Sequence, residues 1–183
     1  MRFEPTPLAG VYLIHPDPRT DERGSYARAF CAREFAAAGL ETNYVQTSIG
    51  GNALAGTVRG MHFQRPPHTE VKLVRCIKGA IHDVIVDMRK TSPTYLRWFG
   101  TDLTEDNGLT LYVPEGFAHG YQTLSDGATV FYMTSAFYAP EAEDGLRHDD
   151  PRLAIEWPLP VATLSPRDAR HPMLGEGLEG WAP

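Results

Sequence analysis

The sequence predicts an all-β sandwich or barrel. Three observations carry the prediction: runs rich in Val, Ile, Thr, Tyr and Phe follow one another from residue 43 to residue 140, Gly, Pro, Asn and Asp separate them at short intervals, and one stretch alone strings helix formers together. With 42% hydrophobic and 22% charged residues in a chain of 183, the profile is that of a soluble globular protein. The length suits one domain, expected over residues 1–183.

Each element follows from its local residues. "VYLIHP" (11–16) is a short apolar run ended by Pro16 and Pro18, and "DERGSYARAF" (21–30) turns at Gly24 before its aromatic residues. "CAREFAAAGL" (31–40) is the helix, opening at Cys31 or the residue before it and stopped by Gly39. Strands are then expected within "NYVQTSI", "GTVRGMHFQ", "VKLVRCIKG", "AIHDVIVDMR", "YLRWFGTDL", "LTLYVPEGFAHGYQTL" and "ATVFYMTSAFYAP". Pro114 and Gly116 permit a tight turn inside the sixth run. The tail from Pro151 is rich in Pro and Gly, with "PRDARHP" (166–172) as a single helical turn.

Composition excludes several classes of function. A net charge of -6 argues against a general nucleic-acid binder, so any phosphate contact must be local. Cys31 and Cys76 sit in apolar surroundings without metal-knuckle or disulfide spacing, which predicts buried free thiols and a reducing compartment. No run has the length of a signal peptide or membrane span, so a cytoplasmic protein without a membrane partner is expected.

"GTVRGMHFQRPPHTEVKLVR" (56–75) places Arg59, His62, His68, Lys72 and Arg75 in what otherwise reads as buried strand. Period-two alternation sets Val71 and Leu73, with Cys76, apart from Lys72, which cannot share a face with Arg75. The same rule puts Arg59, Met61 and Phe63 on one face and Gly60 and His62 on the other, unless a bulge at Gly60 shifts the phase. Polar residues on the inward face of a barrel would line a cavity. His68 and Arg75 are assigned to surface or support.

The pairing of "GTVRGMHFQ" with "YVPEGFAHGYQTL" resembles the two-part cupin pattern of double-stranded jelly-roll barrels. Many cupins hold a metal through a His-x-His pair. Gln64 follows His62 here, which breaks that pair, so no metal is expected. A closer resemblance runs in order from about residue 21 to residue 170: "DERG", "VRGMHFQ", "KLVRCIKGAIHDVIVDMR", "SPTY", "YVPEGFAHGYQTLSD", "FYMTSAFYAPEAEDG", "IEWP" and "LSPRDA". Together these words resemble the dTDP-4-dehydrorhamnose 3,5-epimerase family. The resemblance implies a homodimeric double-stranded jelly roll with a few short helices and no cofactor. It also implies an isomerase that inverts C3, C5 or both in a nucleotide-linked 4-keto-6-deoxyhexose, the first candidate being dTDP-4-dehydro-6-deoxy-D-glucose.

The chemistry agrees with the residues. A 4-keto sugar has acidified C–H bonds at C3 and C5, and inversion needs a base on one face, a proton donor on the other and a group that holds the enolate. The resemblance implies His62 as base, Asp168 as its orienting carboxylate, Tyr132 as proton donor and Lys72 as enolate stabiliser. Asp83 can serve either Lys72 or His119. For the diphosphate it implies Arg59 and His119, with Arg23 reaching across a dimer interface. Tyr138 matches an aromatic that stacks on the base, and Gln46 and Glu143 match further binding positions.

Three positions depart from the family pattern. Arg28 stands where a substrate-binding glutamate is usual, Ser48 where an amide is expected, and His148 where a tryptophan is common. Two other functions stay open: a single-centre epimerase acting on a modified deoxysugar nucleotide, and a non-catalytic cupin that binds a sugar nucleotide.

Overall fold

In the computed structural model the described residues are 1–175, 180 and 181. The expected domain of 1–183 also takes in 176–179, 182 and 183, which lie outside them. The strands are β1 (Arg2–Pro5), β2 (Tyr12–His15), β3 (Arg19–Asp21), β4 (Gly24–Tyr26), β5 (Gln46–Gly51), β6 (Thr57–Gln64) and β7 (Lys72–Lys78). There follow β8 (Ala80–Asp87), β9 (Trp98–Thr104), β10 (Thr110–Val113), β11 (Phe117–Thr123), β12 (Thr129–Thr134), β13 (Glu143–Gly145) and β14 (Thr163–Leu164). One helix, α1 (Ala32–Ala37), and a 3-10 turn at Asp168–Arg170 complete the described elements.

Two sheets face each other. One runs β1-β2-β10-β7-β12-β5, the other β13-β6-β11-β8-β9 with β14 added in parallel beside β6, and β3 and β4 form a separate hairpin. The expected jelly roll is therefore the observed fold. The Pro114–Gly116 turn is where the chain leaves the first sheet at β10 and enters the second at β11, with Gly116 at φ +86°.

Alternation decides what lies between the sheets. Val74, Cys76, Leu111 and Val130 from the first sheet meet Ile81, Ile85, Leu103 and Phe117 from the second in a fully apolar layer. The outer faces are covered as well. Phe35 of α1 packs with Leu73, Val71 and Tyr112 outside the first sheet. Leu146, Leu153, Leu174, Trp157 and Trp181 cover Met61, Phe63, Val84 and Val86 outside the second. Cys76 therefore shares a face with Val74 and Lys72, not with Val71 and Leu73 as expected, because strict alternation holds through β7. Cys31 is half-buried and Cys76 buried, both as free thiols.

The bulge allowed for at Gly60 is present. His62 pairs with His119 but Arg59 pairs with Tyr121, so three steps along β6 match two along β11. That extra residue puts Arg59 and His62 on the same inward face. Glycine is required on both strands at this point. Gly60 has φ +131° and a Cβ there would fall 2.5 Å from Gly120 Cα, while a Cβ on Gly120 would fall 2.7 Å from the Arg59 carbonyl oxygen.

Candidate active site

At one end of the barrel the inward face turns from apolar to polar. Arg59, His62, His119 and Tyr121 from the second sheet face Lys72 and Tyr132 from the first across one cavity of about 180 Å3. It continues into a cleft of about 360 Å3 that adds Gln46, Ser48, Glu70, Tyr138 and Glu143. Such dimensions suit a small polar ligand. His62 lies at the junction of both.

The C-terminal segment supplies the partner of His62. Pairing of β14 with β6, at Thr163 to Thr57 and Leu164 to Val58, lays the following turn along β6. The Ser165 hydroxyl accepts the Asp168 backbone N–H at 3.0 Å and fixes the turn. Asp168 is 4% exposed; its Oδ1 lies 2.9 Å from His62 Nε2 and its Oδ2 accepts the Gly60 N–H at 3.3 Å. Burial alone would push the Asp168 carboxyl up, but the bonds from His62, Gly60 and Ser165 outweigh it and hold the group below its usual range. The carboxylate therefore stays charged and fixes one ring nitrogen of His62, leaving Nδ1 as the free one.

The donors expected for a diphosphate are also anchored. Arg59 donates from Nε to Asn52 Oδ1 at 2.8 Å and from its guanidinium to the Gly51 carbonyl at 3.2 Å. His119 Nε2 lies 2.8 Å from Asp83 Oδ1. The choice left open for Asp83 is thus decided in favour of His119. Asp83 is fully buried behind that ring, so it orients His119 and does not line the cavity. Lys72 pairs instead with Glu70 at 3.1 Å, both largely buried.

Tyr132 sits opposite Ser48 and Val74 in β12, on the sheet facing His62, and Phe131 points outward as alternation requires. Ser48 lines the cleft, and Gln46 Oε1 accepts the Tyr138 backbone N–H at 2.6 Å. Tyr138 is half exposed and bonds through its hydroxyl to Glu143, which also pairs with Arg167. Gln64, the residue that breaks the metal motif, has a structural task. Its amide donates to the His68 and Phe137 carbonyls and accepts the Ala139 N–H, holding the loop that carries Tyr138.

Arg23 and Arg28 are not at this cavity within their own chain. Arg23 caps the β3–β4 hairpin, paired with Asp21, and Arg28 pairs with Glu34 at 3.0 Å. His148 is buried and lines neither the cavity nor the cleft; its backbone carbonyl accepts the Trp157 indole N–H at 2.9 Å. Sequence reasoning missed Glu70, Asn52 and Arg167 as partners of site residues.

The chain matches the family model described as dTDP-4-dehydrorhamnose 3,5-epimerase over residues 5–176. It belongs to that family. A family member from Sinorhizobium fredii, named dTDP-4-dehydrorhamnose 3,5-epimerase, is 41% identical over 177 residues, covering 96% of this chain and 91% of its own. One from Streptomyces niveus, named dTDP-4-dehydrorhamnose 3-epimerase, is 40% identical over 180 residues, covering 98% of this chain and 86% of its own. The crystal structure of the family's 3,5-epimerase from Bacillus anthracis, with TDP and PPi bound, superposes with a TM-score of 0.92 at 37% identity, covering 94% of this chain and 99% of that one.

Proposed function

We propose that the protein is an epimerase converting dTDP-4-dehydro-6-deoxy-D-glucose to dTDP-4-dehydro-L-rhamnose by inverting C3 and C5. The carrying observation is the His62–Asp168 pair on one sheet with Lys72 and Tyr132 facing it from the other. In this reading His62 Nδ1 takes the proton from the carbon next to the 4-keto group, while Nε2–H donates to Asp168. The electron pair moves onto the ketone oxygen, where the Lys72 ammonium meets it. Tyr132 then delivers its proton from the opposite face. The proton on His62 leaves to solvent and Tyr132 regains one from it, so each inverted centre acquires a solvent hydrogen. Arg59 and His119 hold the diphosphate, Tyr138 the base, and Gln46, Ser48 and Glu143 line the approach.

Incubation with dTDP-4-dehydro-6-deoxy-D-glucose in deuterated water, followed by proton NMR, tests this. Loss of both the C3 and C5 signals is expected. The 3-epimerase named in Streptomyces niveus supports a second reading, inversion at C3 alone, for which only the C3 signal would vanish. Absence of exchange with retained dTDP binding would replace both readings with a non-catalytic binder.

A homodimer belongs to the proposal. β5 is an open sheet edge carrying Ile49 at 67% exposure, and the β3–β4 hairpin presents Tyr26 at 74% beside Arg23. An Arg23 that reaches a partner's cavity explains its distance from its own. Mixing inactive His62→Ala and Arg23→Ala proteins should then restore activity through hybrid dimers; no recovery after subunit exchange would place Arg23 elsewhere. One domain over residues 1–183 fits the family match, and two free thiols fit a cytoplasmic setting. Among the described residues no helix is long and apolar enough to cross a membrane.

A further inference from the structure

Asp168 faces two histidines, and the proposed reaction uses one. His171 Nε2 lies 3.8 Å from the same Asp168 Oδ1 that bonds His62, and the two rings meet edge to face with centroids 5.7 Å apart. Gly145 makes the room. It is the register partner of His62, and a Cβ on it would fall 2.5 Å from His171 Nε2. The His171 side chain is only 10% exposed, yet its Nε2 has no hydrogen-bond partner. A buried polar atom without a partner calls for an explanation.

We propose that His62, Asp168 and His171 form a site for a divalent transition-metal ion of the zinc type, and that its occupation switches the base off. One ligand atom from each residue lies within 4.8 Å of the other two. Two imidazoles and a carboxylate are the donor set of three-ligand zinc sites, whose bonds of about 2.0–2.2 Å set ligand atoms about 3.3–3.6 Å apart, so the His62–Asp168 edge at 2.9 Å must open and the His171–Asp168 edge at 3.8 Å must close slightly. Rotation of the His62 ring, 32% exposed, closes the difference. His62 and Asp168 both line a groove of about 410 Å3 that also takes in Arg59 and Ser165. Of the neighbouring cations, Arg167 pairs with Glu143 and Arg65 with Asp144, and Arg59 is turned onto Asn52 and the Gly51 carbonyl. Magnesium and calcium prefer oxygen donors and are not expected there.

This donor set differs from the cupin pattern broken at Gln64, since two of its members come from the C-terminal turn. Its consequence for the base is direct. A metal on His62 Nε2 leaves the ring proton on Nδ1, so the nitrogen meant to accept the C–H proton becomes a donor. The inhibitory half of the inference rests on the proposed function; the binding half does not.

Chelator-treated protein titrated with zinc sulfate in a calorimeter, and with Co2+ followed by visible absorption, should take up one ion per chain. His171→Asn should weaken that binding by at least about a hundredfold. Zinc should stop deuterium exchange into the substrate, EDTA should restore it, and His171→Asn should exchange normally and resist zinc. Equal binding or equal inhibition in wild type and variant would overturn the site. Should wild type show no exchange, the calorimetric and Co2+ data still decide the binding, while the function fails separately. Should His171→Asn not fold, zinc must shift the ring-proton signals of both His62 and His171 in wild type. Unmoved signals would overturn the proposal.

Discussion

Replacing Asp168 by Asn keeps the shape of the side chain and removes its charge. When His62 takes a proton, an imidazolium forms 2.9 Å from Asp168 Oδ1. At that separation a unit charge pair is worth about 6 kcal/mol at an effective dielectric constant of about 20, and a hydrogen bond to a charged group nets about 1.5–3 kcal/mol. About 3 kcal/mol, the upper end of the second figure, and about 6 kcal/mol bracket the loss. At about 1.4 kcal/mol per factor of ten, Asp168→Asn should slow deuterium exchange at C3 and C5 by about 10²- to 10⁴-fold, with dTDP affinity changed less than about threefold. Exchange within about tenfold of wild type would refute the dyad. Stability offers an independent check. The Asp168 carboxyl is held below its unfolded range, so its contribution is present above about pH 3.9 and is lost as pH falls through the lower folded value. Wild type should therefore be the more stable at neutral pH, and the two proteins should converge in acid.

Tyr132→Phe should keep deuterium wash-in through His62 but cut inverted product by about 100-fold or more, read by NMR against yield; an unchanged yield would remove Tyr132 as donor. Asn52→Ala removes the anchor of Arg59 and should raise KM about tenfold with kcat nearly constant, since a hydrogen bond to a charged group is worth about 1.5–3 kcal/mol. Gly60→Ala must fit a Cβ 2.5 Å from Gly120 Cα at φ +131° and should cost more than about 3 kcal/mol in urea unfolding; a loss under about 1 kcal/mol would mean the bulge relaxes freely. Burial pushes the His148 pKa down, as it does that of His171, so both bind fewer protons folded than unfolded. Stability should accordingly fall as pH drops below about 6.5, by up to about 1.4 kcal/mol per pH unit for each ring, and His148→Asn should flatten that slope.

Much of the site was legible through the family resemblance, which singled out Lys72, Tyr132 and His119. Short strands with Gly and Pro at their ends indicated an all-β sandwich or barrel, and the resemblance narrowed it to a jelly roll. What could not be read were pairings across space. Asp83 meets His119 across two neighbouring strands, at a register set by the whole sheet, and nothing local distinguishes that partner from Lys72. The shared face of Arg59 and His62 depends on one extra residue at Gly60, where a glycine signals a possible bulge without stating its phase. Cys76 was misplaced because a thiol carries no polarity to mark its face. β1 went unread, as "RFEP" is too short and mixed to show a period.

The polar and apolar halves of the barrel belong to the same strands, and this explains the precision of the site. Along β7 the inward residues run Lys72, Val74, Cys76, and along β12 they run Thr134, Tyr132, Val130. Each strand thus enters the apolar layer within two residues of its functional side chain. Tight packing there leaves the backbone beneath Lys72 and Tyr132 little freedom, so base and donor are held on opposite sheets at a fixed separation. The same apolar floor excludes water below the enolate, which strengthens the field of the Lys72 ammonium on the developing charge. A cavity-forming change in that floor, such as Val74→Ala, would loosen both strands together, and its effect on exchange would exceed what its distance from the reacting carbon suggests.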